Sequence, residues 1–428
     1  MQISVAAKGR DVKHAAPQRA MCRFPLGRKI IQRPLAISFY FCSFINTLNA
    51  LVISPMAQFT PHQNKALKSV ADWLKSATGT NGAPQVFRLF GYAGTGKTTL
   101  ARHIAEEADG DVKFAAFTGK AASVMRGKGC RGASTIHSLI YRARESGEEV
   151  PSFDLWDEAP ASKAKLIVID ECSMVDAELG RDLLSFGVPV LVLGDPAQLP
   201  PIQGGGFFTE SEPDAMLTEV HRQAQDDPIV RLSMDIRAGE YIEPGRYGET
   251  EVLRKGELDP DRVLEADQVL VGRNATRRAY NARMRERRGF EGEMPLAGDK
   301  LVCLRNNRKK GLFNGGLWTV KERGGPKGHT KAEIMTMRLL PDDETGTRGV
   351  KVSVRPECFA GGIEKVDWER RKRYDEFDYG YVLTVHKAQG SQWDDVVLFD
   401  ESFAFPDSRE RWLYTGVTRA AKRLTVVV

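Results

Sequence analysis

Residues 91–100 read GYAGTGKTTL, directly after the apolar run QVFRLF at 85–90. Gly91 and Gly96 bracket four residues, Lys97 and Thr98 follow, and a helical pattern begins. A turn without large side chains exposes several backbone N–H groups to one point, and the helix behind it adds its positive end. That arrangement suits a phosphate, with Lys97 reaching the outer phosphates and the Thr98 hydroxyl on Mg²⁺. The competing reading is an ordinary glycine-rich strand–helix turn. A strand before the motif and a helix after it favour phosphate binding.

The 428 residues give material for two to four domains with substantial cores. Composition is that of a soluble globular protein, without low-complexity tracts. Six cysteines, at 22, 42, 130, 172, 303 and 358, form no CxxC pair, which argues against a zinc site and fits a reducing compartment. The net charge of +6 is misleading, because residues 1–55 carry eight Lys or Arg against one Asp and the rest is close to neutral. Nucleic-acid binding must therefore come from local patches. Three stand out: RNATRRAYNARMRERR from Arg273, NNRKK from Asn306 and ERRKR from Glu369. Each is equally readable as a solvated face.

In residues 1–55 a basic stretch to Arg33 precedes LAISFYFCSFINTLNALVI, nineteen mostly apolar residues. That order suits a signal peptide or anchor, but the length only just reaches a span and no A-x-A site ends it. The favoured expectation is a non-native start, with Met56 as the true beginning. There MAQFTPHQ reads as a cytosolic opening, with Thr60 capping a helix and Pro61 at its first position. No stable membrane partner and a cytoplasmic location follow.

Short unalternating apolar runs recur at 86, 113, 165, 190, 268, 396 and 424, with helical patterns between most of them. Such runs mark buried parallel strands, so the fold class is α/β, in two groupings at 56–222 and 223–428. A charged segment at about 127–163 reads as an insert in the first. Alternating runs at about 295–363, separated by Gly-rich turns, read as a small antiparallel β-barrel inserted in the second.

LIVIDECSMVD ends a buried strand in Asp170 and Glu171, at the sheet edge where α/β proteins bind ligands. Asp170 suits Mg²⁺, and Glu171 suits polarising an attacking water. VLVLGDPAQLPPIQGGG repeats the design with Gly194, Asp195 and Gln198. An amide at 198 can accept from water and donate to phosphate; a turn closed by Pro200 and Pro201 is the alternative.

The ordered set GYAGTGKTT, FTGKAASVM, ASTIHSL, VIDECSMVD, GDPAQLPPI, EVHRQ, TVHKAQGSQWDDVV and YTGVTRA resembles the superfamily 1 helicases, specifically the RecD/Dda-like group that moves 5′→3′ on single-stranded DNA. The resemblance covers essentially everything after Thr60. It implies two RecA-like motor domains, a pin insert at 127–163, an SH3-like insert at 295–363, and ATP with Mg²⁺ as cofactors. Nucleotide contacts are implied for Gln63 (toward adenine), Gly91, Gly94, Thr95, Gly96, Lys97, Thr98, Thr99, Gln389, Gly390 and Gln392. DNA contacts are implied for Thr118, Lys120, Ser134, Thr135, His137, Thr384, His386 and Lys387. Arg222 and Arg419 match two arginines offered to the γ-phosphate, so Lys97, Glu171, Gln198, Arg222 and Arg419 form the expected catalytic set, with Thr98 and Asp170 on the metal. Gln392 stands where relatives often have Glu, and Gly416 where Ala is common. Phe153 and Trp156 are candidates for a strand-separating wedge.

The function expected is an ATP-dependent 5′→3′ DNA helicase acting as a monomer on single-stranded and forked DNA, with single-stranded-DNA-binding, replication or recombination proteins as partners. The alternatives are the motor subunit of an exodeoxyribonuclease V-like complex and a DNA-stimulated ATPase that remodels without separating strands.

Overall fold

The computed structural model describes residues 59–77, 84–108, 110–143, 153–200, 206–220, 226–307, 310–324, 334–342 and 349–428. All lie in one compact unit, Phe59–Val428. The extension at 1–55 and Arg222 are outside the described residues.

The first half contributes β1 (Val86–Gly91), β2 (Val112–Ala116), β3 (Ser134–Thr135), a separate antiparallel hairpin of β4 (Tyr141–Ala143) and β5 (Phe153–Leu155), then β6 (Leu166–Asp170), β7 (Val190–Gly194) and β8 (Ala215–Leu217). Apart from the hairpin these form a six-stranded sheet in the order β3-β2-β6-β7-β1-β8, and every pairing in it is parallel. Both faces of the central strands are buried, which is why they read as continuous Val/Ile/Leu runs. Leu89, Leu166, Val168, Leu191 and Leu193 pack toward the helices Pro61–Ala77 and Lys97–Glu107; Phe90, Ile167, Ile169, Val190 and Val192 pack the other way.

The second half contributes β9 (Gly245–Tyr247), β10 (Thr250–Leu253), β11 (Gln268–Val271), then β12 (Lys300–Cys303), β13 (Leu317–Gly324), β14 (Met335–Pro341), β15 (Val350–Val354) and β16 (Phe377–Tyr379), and finally β17 (Val382–Thr384), β18 (Trp393–Phe399) and β19 (Ala420–Val427). A second six-stranded sheet runs β17-β11-β18-β19-β10-β9, parallel except for the β9–β10 edge. Strands β12 to β16 form an antiparallel sheet in the order β15-β14-β13-β12-β16. It takes its fifth strand from residues 377–379, past the 295–363 segment whose alternation announced it. One apolar cluster joins this sheet, through Leu301, Trp318, Val320 and Phe377, to Val269, Val382 and Val397 of the parallel sheet.

All seven apolar runs became parallel strands. The pattern did not reveal β3, β8, β9, β10 and β17 of these two sheets, strands of two to four residues, all but β10 at a sheet edge.

Candidate functional site

Strand β1 delivers the chain to Gly91, whose missing side chain matters: a Cβ there would stand 2.7 Å from Thr95 Oγ1 and 2.8 Å from Leu217 Cβ. Gly94 and Gly96 take φ of 75° and 83°, conformations open to glycine at little cost. Gly96 is the N-cap of the helix Lys97–Glu107 and offers no side-chain cap, so the first-turn N–H groups are left for an external acceptor. Thr95 is fully buried and donates from Oγ1 to the Tyr92 carbonyl at 2.8 Å. The Lys97 ammonium folds over its own loop, donating to the carbonyls of Gly91 (2.5 Å) and Tyr92 (2.9 Å), 3.9 Å from Asp195 Oδ2. Thr98 Oγ1 donates to Asp170 Oδ2 at 3.2 Å.

Gly94, Gly96, Lys97, Thr98, Asp170 and Asp195 face a cleft of about 430 Å³. From the first half it is lined by Gly94, Gly96, Lys97, Thr98, Thr99, Asp170, Glu171, Asp195 and Gln198, and from the second by Gly390, Gln392 and Arg419. The donor set fits a nucleotide phosphate, and the Thr98–Asp170 pair supplies the hard oxygens that Mg²⁺ takes. Burial, then the neighbouring Glu171 charge, pushes the Asp170 carboxyl up. Glu171 sits at φ 53°, the one non-glycine positive φ among the described residues. Gln198 is 8% exposed, and its Oε1 is buried without a partner. Arg419, 5% exposed, donates among the described residues only to neutral groups: the carbonyls of Thr415 (2.9 Å) and Ser391 (3.1 Å) and the Thr418 hydroxyl (3.1 Å). A buried guanidinium without a carboxylate is a site open to an anion.

Four expected nucleotide contacts do not line the cleft: Gly91 and Thr95 build the turn, and the glutamines Gln63 and Gln389 point elsewhere. Gln63 does not line the cleft; its amide donates to the Thr95 carbonyl (3.0 Å) and accepts from Thr60 N–H (3.0 Å), bracing the phosphate loop from behind. Gln389 is buried and donates to the Leu199 carbonyl at 2.8 Å, tying the two halves together. A glutamine amide serves protein backbone as readily as a base or phosphate, so sequence did not separate the uses.

The residues expected on DNA show a common local device. Thr118, Thr135 and Thr384 each cap a short or medium helix, accepting from the N–H of Ala121 (3.1 Å), Ser138 (3.2 Å) and Lys387 (3.3 Å). The stretches Thr135-Ile136-His137 and Thr384-Val385-His386 match point for point. Each follows an edge strand, buries its aliphatic residue completely, and lays its histidine on aromatic rings: Phe117 and Tyr141 in one, Phe405 in the other. Burial lowers the His386 pKa. Ser134 and Lys120 are half-buried nearby in sequence, and Lys387 is exposed.

Individual members of the basic patches turn inward, while Arg273, Arg278, Arg283, Arg287, Arg288, Arg370 and Arg373 stay exposed. Arg277 pairs with Asp378 at 2.7 Å and Arg285 with Asp299 at 2.9 Å. Lys310 pairs with Asp375 at 2.5 Å, while Arg305 and Arg371 share Glu376. On the β4–β5 hairpin the exposed apolar side chain is Leu155, at 37%; Trp156 is half-buried and the Phe153 side chain is outside the described set. Tyr414 opens the YTGVTRA run, and nothing in its residue type marks a role. Its hydroxyl accepts from Ala93 N–H and donates to Asp195 Oδ2, both at 2.8 Å.

Two parallel sheets facing one phosphate cleft define a P-loop ATPase of the two-motor-half type. Family models agree: an AAA domain matches residues 69–257 and a UvrD-like helicase C-terminal domain matches 379–427. The ATP-dependent DNA helicase dda of Enterobacteria phage T4 is 32% identical over 404 positions, covering 77% of this chain and 91% of that protein. The ATP-dependent RecD2 DNA helicase of Deinococcus radiodurans is 28% identical over 379 positions, covering 84% of this chain; the chain spans 49% of that protein's length. Among solved structures, Pif1 helicase from Candida albicans superposes with a TM-score of 0.50 at 18% identity, over 87% of this chain and 94% of that one. Bacteroides Pif1 bound to single-stranded DNA gives 0.51 at 18%, over 86% and 92%, which speaks to the fold. The chain belongs to the superfamily 1 DNA helicases, in the RecD/Dda-like group.

Proposed function

We propose that this chain is an ATP-dependent DNA helicase that moves 5′→3′ along single-stranded DNA and unwinds duplex ahead of it. The observation that carries the reading is the cleft, where Lys97, Glu171 and Gln198 from one sheet face Arg419 from the other. Lys97 exchanges its two loop carbonyls for the β- and γ-phosphates. Glu171 polarises the attacking water, and Gln198, with its unpartnered Oε1, orients that water against the phosphate. Arg419, joined by Arg222, stabilises transition-state charge when the halves close, which couples hydrolysis to motion. Gln392 lies toward the ribose. Thr98 and Asp170 would hold Mg²⁺, which when bound neutralises charge on the phosphate oxygens.

The motor domains are 56–222 and 223–428. The single strand crosses both Thr-(Ile/Val)-His turns, contacting Thr118, Lys120, Ser134, Thr135, His137, Thr384, His386 and Lys387; the three threonines act chiefly by fixing the helix starts. The β4–β5 hairpin is the pin, and the antiparallel sheet is the SH3-like insert. The protein acts as a monomer on single-stranded and forked DNA in the cytoplasm, alongside single-stranded-DNA-binding or recombination proteins. Among the described residues no helix is long and apolar enough to cross a membrane.

Forked duplexes with only a 5′ or only a 3′ tail, each with ATP, test the reading. Unwinding confined to the 5′-tailed fork supports it. ATP hydrolysis stimulated by DNA without unwinding of either fork identifies a remodeller. Unwinding only after addition of other subunits identifies the motor of an exodeoxyribonuclease V-like complex.

A further inference from the structure

Tyr414 lies 1% exposed in the helix Arg409–Val417, which packs with the second sheet, yet its hydroxyl ends in the loops of the first. It accepts from the Ala93 N–H and donates to Asp195 Oδ2, each at 2.8 Å, and that carboxylate oxygen lies 3.9 Å from the Lys97 ammonium. The neighbouring loop residue is gripped from the same side: the Arg237 guanidinium stands 3.5 Å above the Tyr92 ring. Independently, Thr415 Oγ1 accepts from Leu199 N–H at 2.9 Å. Burial and the adjacent Asp195 charge push the Tyr414 phenol well above its ordinary range, so it remains a donor.

We propose that Tyr414 is a positioning residue through which the second motor half sets the phosphate loop for nucleotide. The inference rests on the phosphate-binding reading of Gly91–Thr98. Only a group that both accepts and donates can join a backbone N–H to a carboxylate at one atom, and the phenol does so. Its contact with Asp195 occupies the oxygen nearest Lys97. Without that contact the carboxylate keeps the Ala197 N–H, at 3.1 Å on Oδ1, and turns to Lys97 as its remaining partner. The ammonium is then held off the phosphates, and the half-buried Ala93 N–H loses its protein acceptor. Nucleotide affinity thus depends on a side chain that need not touch the nucleotide.

The test uses the full chain and Tyr414→Phe, which keeps the ring. Binding of fluorescent Mg-ADP is read by anisotropy, and amide exchange across residues 91–97 is read without nucleotide. The affinity should fall about tenfold, the scale of one hydrogen bond to a charged group, and the loop amides should exchange faster. Thr415→Val, which cuts a different tie of the same helix, should stay within about twofold of wild type. Asp195→Asn added to Tyr414→Phe should restore most of the affinity, because no carboxylate is left to draw Lys97 away. Wild-type affinity and exchange in Tyr414→Phe would overturn the proposal, as would an equal loss in Thr415→Val, which would make the effect one of general packing. Wild-type protein that does not bind Mg-ADP would instead overturn the phosphate-loop reading, and this proposal with it.

Discussion

Glu171 holds φ 53° and ψ 47° at the end of β6. The left-handed region costs a non-glycine side chain about 1–2 kcal/mol, and such strain concentrates at functional sites. The strain and the carboxylate can be separated by substitution. Glu171→Gln keeps the backbone and the bulk, so it should bind Mg-ATP and lose turnover. Glu171→Gly should also lose turnover while gaining up to about 1 kcal/mol of stability without nucleotide, measured by denaturant unfolding. A Gly variant that unfolds more easily would show that the side chain is part of the packing. Arg419→Ala should leave DNA affinity nearly intact and cut kcat by about 10³-fold or more, the scale of an arginine finger. A change confined to DNA affinity would place Arg419 on the strand. Residues whose chemistry is unusual at their spacing, such as Gly96-Lys97-Thr98 and Asp170-Glu171, were legible in the sequence. Gln63 and Gln389 were not, because an amide's partner depends on which backbone folding brings beside it.

At the scale of elements, the helix Gly119–Gly127 is built against two distant segments. A Cβ on Gly119 would stand 2.4 Å from Phe313 Cγ, in the loop between β12 and β13, and one on Gly390 would stand 3.1 Å from Ala121 Cβ. The helix start therefore meets both the antiparallel sheet's loop and the second motor half. Gly119→Ala should cost about 1–3 kcal/mol through forced overpacking, and Phe313→Ala in the same chain should remove most of that cost. Additive losses in the unfolding cycle would mean that the two residues do not bear on each other. The threonine caps make a second prediction. Thr135→Ala and Thr384→Ala should each cost about 1 kcal/mol, with serine recovering most of it, because a hydroxyl is what the cap needs. Parallel strands were readable as apolar runs because burial on both faces leaves no alternation. The caps were not, since a threonine that holds a phosphate and one that holds a helix N–H look alike in sequence. The basic runs were readable either way, and the members that are tied down find their carboxylates beyond the runs: Arg277, Arg285 and Arg371 pair with residues 378, 299 and 376.

For the whole molecule, the cleft joins halves that already share a core. Leu199, carried by the first half, packs in the cluster with Leu270, Leu383, Trp412 and Val417 of the second, and Ala93 and Ala197 lie against it. A ligand in this cleft thus stabilises both sheets, and its effect should appear as one shift of the whole transition. At a hundred times its dissociation constant a ligand adds about 2.7 kcal/mol. Spread over an unfolding entropy of about 2.1 cal/mol/K for each of the 370 residues from 59 to 428, that is a rise of about 3 °C in Tm. Calorimetry with Mg-ADP checks it, and three chains divide the causes. Wild type should shift as one transition. Lys97→Ala, without the point charge over the phosphates, should lose most of the shift. Arg419→Ala should keep the Mg-ADP shift but lose any further rise that a γ-phosphate mimic gives wild type, if its guanidinium acts on the γ-phosphate as proposed. Two separate transitions, only one of which moves with nucleotide, would show that the halves unfold apart and that the cleft belongs to one of them. The coupling of hydrolysis to domain motion would then have to run through the DNA and not through the protein's own core.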